Sequence, residues 1–111
     1  MKPNENLKPY FSKISWSDVN PFELVRTRAN TIAVIRPMKV EKHPDWSPEI
    51  IPGGFTGHCV NQEEQKWLYE SDPEGYEIEV RWSKARNAWF DKGGNKYYNA
   101  NEPKYIYDFN F

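Results

Sequence analysis

The sequence predicts a mainly β protein: a single small twisted-sheet or barrel-like (SH3-like) domain with one long Pro/Gly-rich loop and at most a short helix. Three observations carry this expectation. Seven or eight short segments of strand-like pattern are separated by Gly, Pro, Asn and Asp at regular intervals. The segment YEIEVRW alternates strictly, Tyr76, Ile78, Val80 and Trp82 to one side and Glu77, Glu79 and Arg81 to the other, which is the period of a half-buried strand. No long stretch repeats apolar residues at helical spacing.

In chain order, residues 1–9 (MKPNENLKP) are polar with two prolines and read as a flexible N-terminal arm, which leaves 10–111 as one β-rich domain. YFSKISW (10–16) alternates well enough for a strand, and SDVNP has the composition of a turn. FELVRTR (22–28) and TIAVIRPMKVEK (31–42) make the clearest early hairpin, joined across Ala29-Asn30. Pro37 interrupts the second of these and implies an edge or a bulge. Residues 43–56 hold Pro44, Pro48, Pro52, Gly53 and Gly54, too many breakers for regular structure, with Trp46 and Ile50-Ile51 to pin the loop.

Asn61 with Glu64 three residues on forms a capping-box pattern, so a helical turn over 61–65 is expected before a strand at QKWLYE. SDPEG (71–75) reads as a type I turn ending in a left-handed glycine, typical of a hairpin. SKARN and DKGGN then separate the strands YEIEVRW, AWF and KYYNA. The terminal YIYDFNF (105–111) alternates Tyr105, Tyr107, Phe109 and Phe111 with polar or aliphatic residues, as a last strand would.

The 111 residues suit one domain with one core. Fifteen basic against sixteen acidic residues leave a net charge of -1, so the chain as a whole lacks the excess that coats nucleic acid or an acidic membrane, though a local patch remains compatible with it. One cysteine cannot form an internal disulfide, no leader pattern opens the chain and no apolar run approaches the roughly 20 residues of a span. The expected compartment is therefore the cytoplasm, without a membrane partner. Six Phe, seven Tyr and five Trp are an unusual endowment; large flat rings supply core area to a polar chain, or a stacking surface.

The densest cluster of chemistry-bearing residues is PGGFTGHCVNQEEQKW (52–67). Cys59 with His58 invites comparison with a thiol enzyme, but neighbours in extended chain point to opposite faces. A buried structural cysteine is the favoured reading, and a Cys-dependent enzyme the unfavoured alternative. His43, Asp45, His58 and Cys59 lack the repeated paired spacing of a zinc site, so no metal or other cofactor is expected. The glycines match neither the dinucleotide nor the P-loop pattern. They do suit a concave nest of backbone N–H groups for an anion. On that reading Gly53, Gly54, Phe55, Gly57, His58, Asn61 and Gln62, with Trp46 and Trp67 as stacking rings, would hold a small phosphate-bearing ligand or contact a host protein. The plainer reading is that the glycines only shape the loop.

A second constellation lies in the 81–98 hairpins, where Arg81, Lys84, Arg86, Trp89 and Lys96 interleave cations with rings in a composition that suits nucleic acid. A solvated face over an aromatic core would account for the same residues.

The run PGGFTGHCVNQEEQKWLYESDPEG and the ending YDFNF resemble a family of small proteins of bacteriophages and other bacterial mobile elements. Its pattern is PGGFxGHCxNQxxQxW, an Asp-Pro-x-Gly turn and an Asp-Tyr-Asn-Phe-like ending, Phe109 standing here for the tyrosine. ISWSDVNPFELV and TIAVIRPMK are similar to the opening hairpin of other small phage-type proteins. The resemblance brings no activity, fold or ligand with it. It implies a setting, the cytoplasm of a bacterial host, in which a small non-catalytic protein binds a host molecule or assists the element's replication. The Pro37 edge and the aromatic tail leave room for a homodimer.

Overall fold

The computed structural model describes residues 7–15, 18–51, 58–59 and 61–107, with backbone alone at 50, 51, 58, 59 and 62. The described strands are β1 (Tyr10–Ser15), β2 (Asp18–Ala29), β3 (Ile32–Pro37), β4 (Lys39–Lys42), β5 (Ile50–Ile51), β6 (His58–Cys59), β7 (Trp67–Glu70), β8 (Ile78–Ser83), β9 (Ala88–Phe90) and β10 (Lys96–Ala100). The one helical element among them is a 3-10 turn at Gln62–Glu64, shorter than the helical turn that the Asn61/Glu64 pattern suggests. None is a helix long and apolar enough to cross a membrane.

Six strands close an antiparallel barrel in the order β1-β10-β9-β8-β3-β2. The mainly β, barrel-like expectation therefore holds. Between β3 and β8 the chain leaves the barrel, pairs β4 with β7 and β5 with β6 in two small sheets, and returns.

Inside the barrel, strand alternation delivers Phe11, Phe22, Ala33, Ile35, Val80, Trp89 and Tyr97 to one cluster. The rings meet edge to face, Phe11 with Trp89 at 5.6 Å, Phe22 with Tyr97 at 5.3 Å and Trp82 with Trp89 at 5.6 Å. Each such pair adds about 0.5–1.5 kcal/mol beyond its buried area. Part of the aromatic excess is thus core, while Tyr76, Tyr98 and Tyr107 are exposed.

Both early prolines fit the barrel because a neighbouring strand has already ended beside them. Pro21 lies inside β2, so residues 18–21 of SDVNP are strand and not the expected turn, Ser17 lying outside the described residues. Its carbonyl accepts the N–H of Met38, and the N–H that proline lacks would point towards β3 just beyond that strand's last residue. Pro37 pairs with Phe22 two residues beyond the last β3–β8 partners, Ile35 and Ile78, the edge position that its ring demands. The irregularities lie further along β2, opposite Ile32–Ile35, between Leu24 and Arg26 and between Thr27 and Ala29.

Further features differ from the sequence expectation. SDPEG closes no hairpin, since β7 pairs with β4 and β8 with β3 and β9; its turn, closed by the Gly75 N–H on the Asp72 carbonyl at 2.9 Å, carries the chain back to the barrel. Gly75 is not left-handed. A Cβ there would stand 3.1 Å from the Asp72 carbonyl oxygen and 3.2 Å from that of Pro37, so close approach of backbone favours the glycine, and a side chain would need both carbonyls to give by a few tenths of an ångström. Among the described residues the positive φ angles fall instead in the two barrel hairpins, at Asn87 (54°) and Gly94 (84°). Tyr76 lies before β8 and is exposed. Among the described residues of the terminal aromatic stretch, 105–107, Ile106 alone bridges to a strand, at Val19, and the expected strand over 108–111 lies outside the described set. Leu7–Pro9, by composition part of the loose arm, are held: Leu7 packs on the core, the Asn99 amide bonds both backbone groups of Lys8, and the Pro9 carbonyl accepts the Leu24 N–H.

One polar tie joins the barrel to the 71–75 turn. The Glu23 carboxylate accepts from Arg36 Nε at 2.6 Å and from the Ser71 hydroxyl at 2.7 Å. Burial works to raise its pKa, but the Arg36 and Ser71 hydrogen bonds and the Arg36 charge outweigh it, and the pKa falls below the ordinary carboxylate value. Asp91 is lowered in the same manner, burial being overcome by Asn95, the Tyr97 hydroxyl and the Gly93 N–H. A carboxylate with a depressed folded-state pKa contributes stability above its unfolded pKa and loses it as pH falls through the folded one. The thermal midpoint is therefore expected to hold from pH 7 to about pH 5 and to drop below about pH 4. Glu23→Gln should remove part of that drop in a melting series; an equally steep drop in the variant would sink the assignment.

Candidate functional site

Asn61, Trp46 and Trp67, expected at a ligand, are engaged within the protein. Asn61 Oδ1 accepts the Glu49 N–H at 2.7 Å, and its Nδ2 donates to the Ser47 carbonyl at 2.6 Å. The Asn61 carbonyl receives the Glu64 N–H and Trp46 Nε1–H. Trp46 is 4% exposed and lies 5.6 Å from Trp67. Trp67 in turn meets Tyr105 edge-on at 4.6 Å. These groups fold the loop onto β7 and β7 onto the C-terminal segment.

Gln65 and Tyr69 complete that arrangement, and sequence inspection passed over both. The Gln65 amide accepts the Tyr107 N–H at 2.9 Å and donates to the Tyr107 carbonyl at 3.1 Å, as a neighbouring strand would. Its oxygen also takes Trp67 Nε1–H at 2.7 Å. The Tyr69 hydroxyl accepts the Tyr105 N–H at 2.7 Å. Only the tertiary path of the C-terminal segment reveals these roles, since nothing in the local pattern marks a glutamine as a backbone mimic.

Gly53, Gly54, Phe55 and Gly57 lie outside the described residues, as do the side chains of His58, Cys59 and Gln62. His58 and Cys59 are placed as β6 backbone opposite Ile51 and Ile50. The described rim of the loop is acidic: a hollow beside Trp46 is lined by Asp45, Glu63 and Glu64 against the single cation Lys66, a poor setting for phosphate. His43, Pro44 and Asp45 form a turn in which the Asp45 N–H donates to His43 Nδ1 at 3.0 Å and the Trp46 N–H to the His43 carbonyl at 3.1 Å. Among the described residues no three His, Cys, Asp or Glu side chains gather as metal ligands would.

The second constellation is ordered by the barrel. Pairing sets Lys96 beside Phe90 and Phe90 beside Arg81 across three strands. Because cross-strand partners share a face, this row lies outside while Tyr97, Trp89 and Trp82 lie inside. Arg86 stands over the Phe90 ring at 4.9 Å and Lys96 over the Tyr98 ring at 4.9 Å. Tyr98 is 46% exposed, and one further step along the β1–β10 ladder puts exposed Ile14 beside Lys96. Trp89 is the correction here: 4% exposed and packed on Phe11 and Trp82, it is core and offers no ring to a guest. Phe90 and Tyr98 take its place. Parity gives the signal that finds them, for once Trp89 and Tyr97 face inward their successors must face outward.

Electrostatics separates the two regions. Residues 81–100 carry five cations and one carboxylate, a net +4 in a chain of net -1, whereas residues 39–80 carry ten carboxylates and three lysines. That single carboxylate, Asp91, is turned to the Asn95 side chain at 3.0 Å and the Tyr97 hydroxyl at 2.9 Å. Arg81 stands 3.8 Å from Glu79. Among the described residues Lys84, Arg86 and Lys96 pair with no carboxylate.

Fold and site together define a small closed antiparallel barrel with a basic, aromatic outer face on β8, β9 and β10. Comparison of the chain with protein-family models, with curated proteins and with solved structures gives no match.

Proposed function

We propose that the protein is a non-catalytic binder of single-stranded nucleic acid, held on the outer face of β8–β10. The observation that carries the reading is the row Arg81, Phe90, Lys96, whose flanking Arg86 and Tyr98 bring cations over two outward rings. Rings of this kind stack on bases of any sequence while the cations follow the phosphates. The likeness of residues 52–75 to small phage and mobile-element proteins supports a setting in a bacterial host, where replication exposes such strands. Binding of a phosphate-bearing small molecule by the 52–67 loop has less support, because the described rim repels phosphate.

The test is fluorescence anisotropy of labelled dT15 titrated with the protein across a salt series. Four phosphate contacts, from Arg81, Lys84, Arg86 and Lys96, give a slope of log K against log salt near about -3. Absence of binding at low salt would overturn the reading, as would binding that is indifferent to salt.

A further inference from the structure

Beside the basic face β8 outruns its neighbour. The last β8–β9 pair is Arg81 with Phe90, whereas β8 reaches back to Ile78. Past Phe90 the β9–β10 turn swings away, leaving a gap of about 600 Å3 between that turn and β8, within the ~300–1,000 Å3 range of small-molecule sites. The Trp82 N–H donates to the Thr31 carbonyl at 2.8 Å, on the β3 side. Peptide directions alternate along a strand, so the N–H and C=O of Glu79 point the other way, into the gap.

The side chains around the gap are balanced: Glu77, Glu79 and Asp91 against Arg28, Arg81 and Lys92, with Ile78 as the apolar wall. A site of no net charge does not select phosphate, unlike the +4 face next to it. It offers acceptors and donors together, which suits a neutral group rich in both. Arg81 belongs to the row on the face and also lines the gap, so a strand lying on Phe90 and Lys96 has its next base at the entrance.

We propose that this gap is a base-reading pocket that selects guanine, an inference that rests on the single-strand reading above. Guanine presents two adjacent donors, N1–H and the 2-amino group, beside the acceptor O6. A carboxylate takes the two donors as a pair and a neighbouring cation takes O6. Glu77 is the carboxylate best placed for this, since its side chain is 41% exposed and its ion pair, at 2.9 Å to Arg26, lies on the Oε1 atom. Arg81 or Lys92 supplies the donor to O6. No other common base offers two adjacent donors on that edge.

The experiment compares dT15 with the same oligomer carrying one central dG, deoxyinosine or dA, on the wild type and on Glu77→Gln. A guanine is expected to tighten binding about tenfold over adenine. Inosine, which lacks the 2-amino group, should lose most of that gain. Glu77→Gln should bind all three alike while holding dT15 at least as tightly as the wild type. Equal binding of the three substituted oligomers by the wild type would overturn the pocket and leave the face standing. A guanine preference that survives Glu77→Gln would overturn it too. Failure to bind any oligomer, dT15 included, would remove the underlying reading and the pocket's ligand with it.

Discussion

Trp89→Ala is expected to be among the most destabilising single substitutions in the barrel. The side chain is 4% exposed and wedged between Phe11 and Trp82, and truncating such a ring costs about 3–5 kcal/mol. A domain of this size holds about 5–15 kcal/mol in all, so the loss takes at least about a fifth of the stability and at the lower end of that range all of it. Neighbouring core cannot collapse into the space cheaply, because the hydrogen-bonded ladders of β8 and β10 hold the walls on either side of β9. The control is Phe90→Ala, one residue on and facing out, expected to cost roughly 1 kcal/mol. Urea unfolding of the two variants checks both numbers. A Trp89→Ala protein within about 1 kcal/mol of the wild type would mean that the ring is surface after all, as the residue's place among cations suggests from sequence alone.

That pair of residues also shows how far the sequence can be read. Strict alternation in YEIEVRW places Val80 in the core and Arg81 outside, and the breaker-rich SKARN and DKGGN place both later hairpins correctly, because these signals are local. What is not local is illegible. Closure of the barrel by β1 on β10 joins residues some ninety positions apart, and no period in either strand names its partner. SDPEG looks like a hairpin because its turn chemistry is right, yet β7 finds its partner in β4 across the 43–66 excursion. Pro21 looks like a breaker because its cost depends on where β3 stops, which β2 alone does not encode. In the candidate loop the sequence marks Asn61, Trp46 and Trp67 as distinctive, and what it does not show is that their described contacts hold the loop to β7. The basic face was legible in composition, but choosing Phe90 and Tyr98 over Trp89 needed the inward parity of two strands together.

The strongest effect on binding is expected from the rings of that face. Phe90→Ala with Tyr98→Ala should weaken dT15 binding at least about 30-fold, since each stacked base contributes roughly 1–3 kcal/mol. Its salt slope should stay unchanged, because no phosphate contact is removed. Arg86→Ala with Lys96→Ala should do the converse, making the slope shallower by about 1.4 as two of four contacts go. The two doubles are separable although Arg86 sits on Phe90 and Lys96 on Tyr98: removing a ring leaves the charge, and removing a cation leaves the π surface open to a base. Tyr98 is 46% exposed, so a melting curve close to that of the wild type keeps the comparison free of unfolding. An aromatic double with wild-type affinity would mean that phosphates alone are held and no base is stacked. If instead both doubles bind dT15 as the wild type does, the strand lies elsewhere on the molecule, and the row Arg81, Phe90, Lys96 is only the solvated outside of an aromatic core.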